Sequence, residues 1–181
     1  IASEGYVTVK DCSVIADGTG VIEVREKTMA GGITGWRGEG KNNIENCTVK
    51  NLDISAWTSV GAISGLVHYE NTINNCVAEN VKLTMTRTDG QAGIGLAAGC
   101  WSNKADNNYP ITVTNNTFNN ISLNGNPPKY NKDGVDISNF LQDEVRLIGS
   151  NYNGPINIPE DKLNVSGNTY TNISDNLTFV E

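Results

Sequence analysis

One pattern returns along this chain regularly enough to dictate its architecture. Ile44-Glu45-Asn46-Cys47-Thr48-Val49-Lys50-Asn51-Leu52-Asp53-Ile54 is matched by Ile73-Asn74-Asn75-Cys76-Val77-Ala78-Glu79-Asn80-Val81-Lys82-Leu83. It returns in Val113-Thr114-Asn115-Asn116-Thr117-Phe118-Asn119-Asn120-Ile121, and again in Val165-Ser166-Gly167-Asn168-Thr169-Tyr170-Thr171-Asn172-Ile173. Val9-Lys10-Asp11-Cys12-Ser13-Val14 is a degenerate first copy. The shared slot falls at 12, 47, 76, 116 and 168, in steps of 35, 29, 40 and 52. Self-similarity at such a period is the signature of stacked repeats, in which one unit cannot bury its own apolar face and its neighbours do so.

A second motif precedes the first. Ala30-Gly31-Gly32-Ile33-Thr34-Gly35-Trp36 recurs as Val60-Gly61-Ala62-Ile63-Ser64-Gly65-Leu66, and more loosely as Ala92-Gly93-Ile94-Gly95-Leu96-Ala97-Ala98-Gly99. Each unit therefore has a Gly-rich half and an Asn-Cys half. Small residues allow bends and close approach of neighbouring backbones. Apolar alternation through Ile44, Val49, Leu52 and Ile54 changes phase near Asn46-Cys47, which marks a corner. Asn51, Asn80, Asn120 and Asn172 occupy a second common slot, and stacked amides can form a ladder. No long window keeps helical periodicity. A β-sandwich also uses short strands, but it does not explain why Cys, Asn and Gly return in register.

These features predict an all-β chain, a right-handed parallel β-helix of about six to seven coils in a single domain spanning 1–181. Its interior ladder is expected at Cys12, Cys47, Cys76, Asn116 and Asn168. Three thiols in one column, at a strand spacing of roughly 4.8 Å, point the same way and are badly placed for a disulfide. They read as inert, buried thiols. Whether Cys100 pairs is left open. The 40-residue step places an insertion near 102–110, and a second excursion is expected at 124–134, on the same side. Val135-Asp136-Ile137-Ser138-Asn139-Phe140-Leu141 is the segment expected to supply an additional coil, and 142–162 receives only turns.

Composition excludes several functions. A net charge of −7 opposes binding to a phosphate backbone, so no nucleic-acid partner is expected. No run of 18 apolar residues occurs, so no membrane span is expected. Ile1-Ala2-Ser3-Glu4 has neither a basic start nor an apolar core. The missing initiator Met suggests a piece of something longer, with further domains in the same polypeptide. No Cys-x-x-Cys pair occurs and there is one His, so no metal or cofactor is implied.

The paired halves resemble the GLUG-type repeat of large bacterial surface proteins, which runs roughly Val-Gly-Gly-Leu-Val-Gly, then a spacer, then Ile-x-Asn-Cys-x-Val. Residues 30–99 carry the match. The Asn-Asn-Thr-Phe and Gly-Asn-Thr-Tyr units beyond resemble pectin-lyase-like parallel β-helices. The resemblance implies an extracellular or cell-surface bacterial protein and carries no catalytic residue of its own.

Three functions follow. The first is a non-catalytic, adhesin-like domain that binds glycans or another surface protein. Trp57, beyond Ile54, is expected to point outward, with Arg87, Asn126 and Tyr130 near it: ring faces for stacking, amide and guanidinium groups for hydroxyls. The competing expectation is that Trp57 packs beneath one of the insertions. The second is a polysaccharide lyase or glycoside hydrolase, with Asp89, Asp133, Asp136 and Arg87 as candidate catalytic residues and the Asp143-Glu144-Arg146 cluster as a further one. Asp-Gly pairs are first of all turn signals, and His68 reads as an exposed turn residue rather than a base. The third is a structural spacer. An ice-binding threonine array is broken, because Thr48 is followed by Val77 before Thr117.

Overall fold

The computed structural model describes residues 7–25, 29–35, 42–87, 93–102, 109–150, 158 and 160–181. The chain is nearly all β, and every strand of its four sheets pairs in parallel with its neighbours. The first sheet stacks β1 (Val7–Lys10), β4 (Asn42–Glu45), β8 (Asn71–Asn74), β12 (Ile111–Thr114) and β14 (Leu163–Ser166). The second, with the longest strands, stacks β2 (Ser13–Val24), β5 (Thr48–Ala56), β9 (Val77–Met85), β13 (Thr117–Gly125) and β15 (Thr169–Leu177). The Gly-rich halves form two small sheets. One contains β3 (Met29–Gly31), β6 (Ser59–Gly61) and β10 (Gly93–Gly95); the other contains β7 (Ser64–His68) and β11 (Ala98–Ser102). Successive repeats visit the sheets in the same order, which is consistent with a parallel solenoid.

Two corners per repeat explain the phase changes. Asp11, Asn46, Asn75 and Asn115 take φ of 54°, 55°, 52° and 58°, and Gly167 takes 67°. Asn51, Asn80, Asn120 and Asn172 do the same inside the long strands, at 59°, 55°, 55° and 54°. Asn and Gly tolerate this left-handed backbone best. The sequence pattern implied one corner near Asn46-Cys47; the second, at Asn51, lets Val49 and Leu52 both face inward. In β2 the single residue is replaced by Ala16-Asp17-Gly18-Thr19, and the register with β5 shifts there.

The core is a set of columns. Val49, Ala78 and Phe118 align, as do Leu52, Val81 and Ile121, and Ile54, Leu83 and Leu123; all are buried. Close stacking of the Gly-rich half is enforced by backbone contact: a Cβ on Gly61 would fall 2.6 Å from the Gly99 nitrogen. Trp101 is buried; Trp36 lies outside the described residues.

The structure corrects the reading of 124–150. Residues 135–141 form no coil. Instead Leu96 and Ala97 donate their amides to the Arg146 and Leu147 carbonyls, and Gly149 donates to Ala98, so 146–149 continue the Gly-rich stack. Nor does 124–134 simply project. Lys129 donates to the Val180 carbonyl and Val180 to the Pro127 carbonyl, tying this stretch to the end of the chain. Ile137 and Phe140, in the segment that follows, are buried. The insertion expected at 102–110 lies largely outside the described residues.

Candidate ligand-binding surfaces

The recurring slot is interior. Cys47 and Cys76 are fully buried, Asn116 likewise, while Cys12 and Asn168 in the outer layers are half-buried. Cys47 Sγ lies 3.7 Å from the Val9 carbonyl and Cys76 Sγ 3.7 Å from that of Ile44. Asn116 Nδ2 donates to the Ile73 carbonyl at 3.0 Å and Asn168 Nδ2 to that of Val113 at 2.9 Å. Asn116 and Asn168 thus serve the carbonyl three positions before the slot in the preceding layer; Cys47 and Cys76 also reach that carbonyl but lie nearer the one two residues back, Glu45 at 3.2 Å and Asn74 at 3.4 Å. Cys fills the slot at 12, 47 and 76 and Asn at 116 and 168; both carry a donor on a short stem. Asn adds an acceptor: Asn116 Oδ1 receives the Cys76 amide and Asn168 Oδ1 the Asn116 amide. The four cysteines are free, which answers the question left by Cys100. Burial pushes Cys76 up to about 12 and Cys100 to about 11, and raises Cys47 as well. These thiols are poor nucleophiles.

The two positive-φ corners carry ladders of their own. Asn46 Nδ2 donates to Asp11 Oδ1 at 3.0 Å and Asn75 Nδ2 to Asn46 Oδ1 at 2.9 Å. At the other corner Asn80 donates to Asn51 at 3.0 Å and Asn120 to Asn80 at 2.7 Å. This second ladder borders a shallow groove of about 240 Å³, which also takes in Thr19, Asp53, Lys82 and Ser122. Each of these amides spends one N–H along the stack and keeps the other, with a free lone pair on the oxygen. The groove crosses adjacent layers and is polar throughout its exposed rim.

The aromatic residues sit elsewhere. Register places Trp57, Thr86 and Asn126 at the same end of the second sheet, since Ala56, Met85 and Gly125 are paired neighbours. Arg87 lies over the half-buried Trp57, its Cζ 4.1 Å from the ring centroid, so one indole face is already occupied. Asn126 is exposed. Tyr130 is exposed too, with Lys129 Nζ at 5.2 Å from its ring. The two rings thus each carry a separate cation.

Of the carboxylates expected of an enzyme, Asp136 and Asp143 line one open cleft together with Glu160, and Asp133 is not among its lining residues. Asp89 lies outside the described residues, as does the side chain of His68. Asp133 stands 3.8 Å from Lys132 at the surface. Asp136 accepts the Ser138 amide at 2.9 Å and its hydroxyl at 2.6 Å, which hold its carboxyl below the usual range. Asp143 accepts the Tyr170 hydroxyl at 2.8 Å. Among the described residues no group of three His, Cys, Asp or Glu side chains could hold a metal ion, and no helix is long and apolar enough to cross a membrane.

Sequence reasoning missed the roles of Arg146 and Asp175. Asp175 pairs with Leu123 across the sheet, so it occupies a column position filled by leucine in the layers above. Arg146, 5% exposed, meets it at 3.5 Å and donates to the Ser138 and Phe140 carbonyls at 2.6 and 3.4 Å. A lone acid in a leucine column was the available signal. The segment that Arg146 holds faces β14 across an open cleft of about 650 Å³. No protein-family model, curated protein or solved structure matches this chain.

Proposed function

We propose that the chain is a right-handed parallel β-helix of five layers that serves as a non-catalytic, extracellular, adhesin-like module and holds a hydroxyl-rich glycan along its Asn51–Asn80–Asn120 corner. The groove at that corner carries the reading. Amides recur in it at a strand spacing of roughly 4.8 Å, and Asp53, Lys82 and Ser122 stand beside them. Such a row suits a polymer bearing hydroxyls along its length, and a ladder fixed by its own hydrogen bonds is pre-organised for it. The GLUG-like motifs support the surface location. On this reading each of the five strands in the two long sheets marks one layer.

The experiment is a glycan-array screen run beside assays for released reducing ends and unsaturated sugars. Binding without release is expected. Lys82→Ala and Asn80→Gly, the latter keeping the left-handed backbone, should abolish it, and Trp57→Ala should leave it intact. Loss on Trp57→Ala alone would move the ligand to Trp57, Arg87, Asn126 and Tyr130. Sugar release would refute the non-catalytic reading, and silence in both assays would leave a structural spacer.

A further inference from the structure

Among the described residues the first sheet ends at β14, which pairs with β12 and with no strand beyond it. An edge of this kind presents unpaired N–H and C=O groups that can accept another strand. Its apolar side chains are likewise incompletely covered: Leu163 and Val165 are half-buried, whereas Ile111 and Val113, one layer up, are 0% exposed.

Facing them, across the 650 Å³ cleft, are Phe140 and Leu141. Leu141 is 47% exposed. The apolar walls are rimmed by three exposed carboxylates, Asp136, Asp143 and Glu160. The cations near this end already have acids of their own: Lys162 stands 3.1 Å from Asp161, Arg146 3.5 Å from Asp175, and Lys129 3.2 Å from Glu181. The rim is therefore negative above an apolar floor, beside an open strand edge.

We propose that this cleft and the free edge of β14 together bind an extended basic peptide, which pairs with β14 as an added strand. One of its lysine or arginine side chains lays its stem on Phe140, Leu163 and Val165 and sets its charge among Asp136, Asp143 and Glu160. Strand addition draws affinity from main-chain hydrogen bonds and specificity from pockets for alternate side chains. A strand added here continues the alternation of Leu163 and Val165, so every second side chain enters the cleft. Lys and Arg bury their methylenes while keeping the head group in water, which matches this floor and this rim. An acidic peptide meets repulsion, and a glycan leaves the apolar walls uncovered. A second copy presenting its own β1 brings Lys10, but that lysine is held by Glu45 at 2.9 Å.

The test uses the full chain and an end-capped, fluorescein-labelled peptide of alternating valine and lysine, followed by anisotropy. Two matched peptides serve as controls: glutamate in place of lysine, and N-methylation of alternate backbone amides. Saturable binding of the lysine peptide is expected, with both controls weaker by about ten-fold or more. Asp136→Asn and Glu160→Gln should each weaken it by about 2- to 5-fold, the range for a partly exposed ion pair, with unchanged circular dichroism. Amide shifts on adding peptide should centre on 163–166. Absence of saturable binding, equal binding by either control, or shifts centred away from β14 would overturn the proposal. So would self-association of the chain that the lysine peptide fails to compete away.

Discussion

Asn116 offers the sharpest test of the stacking chemistry. Its Oδ1 accepts the Cys76 amide at 2.9 Å, and its Nδ2 reaches the Ile73 carbonyl at 3.0 Å and Asn168 Oδ1 at 2.9 Å. Cys76 and Ile73 are both 1% exposed, so water cannot replace a lost partner. Asn116→Ala strands one buried donor, the Cys76 amide, and removes a second bond from the Ile73 carbonyl, which sits in the β8–β12 ladder. The stranded amide costs about 1–3 kcal/mol and the lost bond about 0.5–1.5 kcal/mol, giving about 1.5–4.5 kcal/mol in all. Asn168 Oδ1 keeps the Asn116 amide at 3.0 Å and adds little. Asn116→Cys restores the arrangement that Cys76 makes with the Ile44 carbonyl and strands only the Cys76 amide, at about 1–3 kcal/mol. The two variants should therefore differ by about 0.5–1.5 kcal/mol, alanine being the worse. Urea titrations monitored by tryptophan fluorescence and circular dichroism give the difference as a midpoint shift at constant slope. Native-state hydrogen exchange should show the Cys76 amide opening first in both. Equal losses for alanine and cysteine would refute the idea that the slot selects for a short donor. A loss under about 0.5 kcal/mol for alanine would refute the burial argument altogether.

The thiols give a pH prediction. Cys76 titrates near 12 in the folded chain against an ordinary 9.0, so its contribution is fully present below pH 9 and is lost as pH rises from 9 to about 12. Cys76→Ala should flatten that alkaline loss in denaturation series, and Cys47 and Cys76 should resist thiol reagents until unfolding while Cys12, half-buried, reacts sooner. Gly61→Ala drives a Cβ to 2.6 Å from the Gly99 nitrogen and should cost about 1–3 kcal/mol by overpacking, seen as a lowered Tm. Asp175→Leu fits the leucine column but leaves Arg146 buried without its acid. It should cost about 1–3 kcal/mol, and a double-mutant cycle with Arg146→Met should show less than the sum.

Much of the stacked β architecture is legible from register in the sequence. The alternation of Leu52 and Ile54, repeated as Val81 and Leu83, names the inward face. The asparagines at 46, 51, 75 and 80 name the corners, because few other residues accept φ near 55°. The failures have a common physical origin. Val135, Ile137 and Phe140 carry an apolar pattern, and a pattern reports burial, not the element that achieves it. Here Ile137 and Phe140 are buried by a folded-back segment with two antiparallel bridges, Tyr130 to Asp136 and Gln142 to Val145. Conversely, 146–149 stack beneath 96–98 although Arg146 conceals the motif. The column runs Gly32, Ala62, Leu96, Arg146, and no composition rule places an arginine where glycine stood. It is accommodated because it sits at the last Gly-rich level, beside Asp175.

The site is less legible than the scaffold for a reason built into stacked repeats. Whatever recurs does so because every layer needs it, and every layer needs hydrogen bonds to the next. Asn46, Asn75, Asn80 and Asn120 spend their amides along the stack, and Cys47 and Cys76 face inward. On the proposed reading the recurring amides offer only their remaining N–H groups, and selectivity must come from residues that do not recur, such as Asp53, Lys82 and Ser122, which share one outward column with Val21 and Ser174. No periodicity argument can select such residues, since each is a single departure from the pattern. Trp57 attracts notice for its type, yet type says nothing of Arg87 lying across its ring. The groove became visible only when the register set Asp53 beside Lys82 and Lys82 beside Ser122. For that reason Lys82→Ala, a change the repeat itself would tolerate, is the substitution that separates a binding surface from a scaffold.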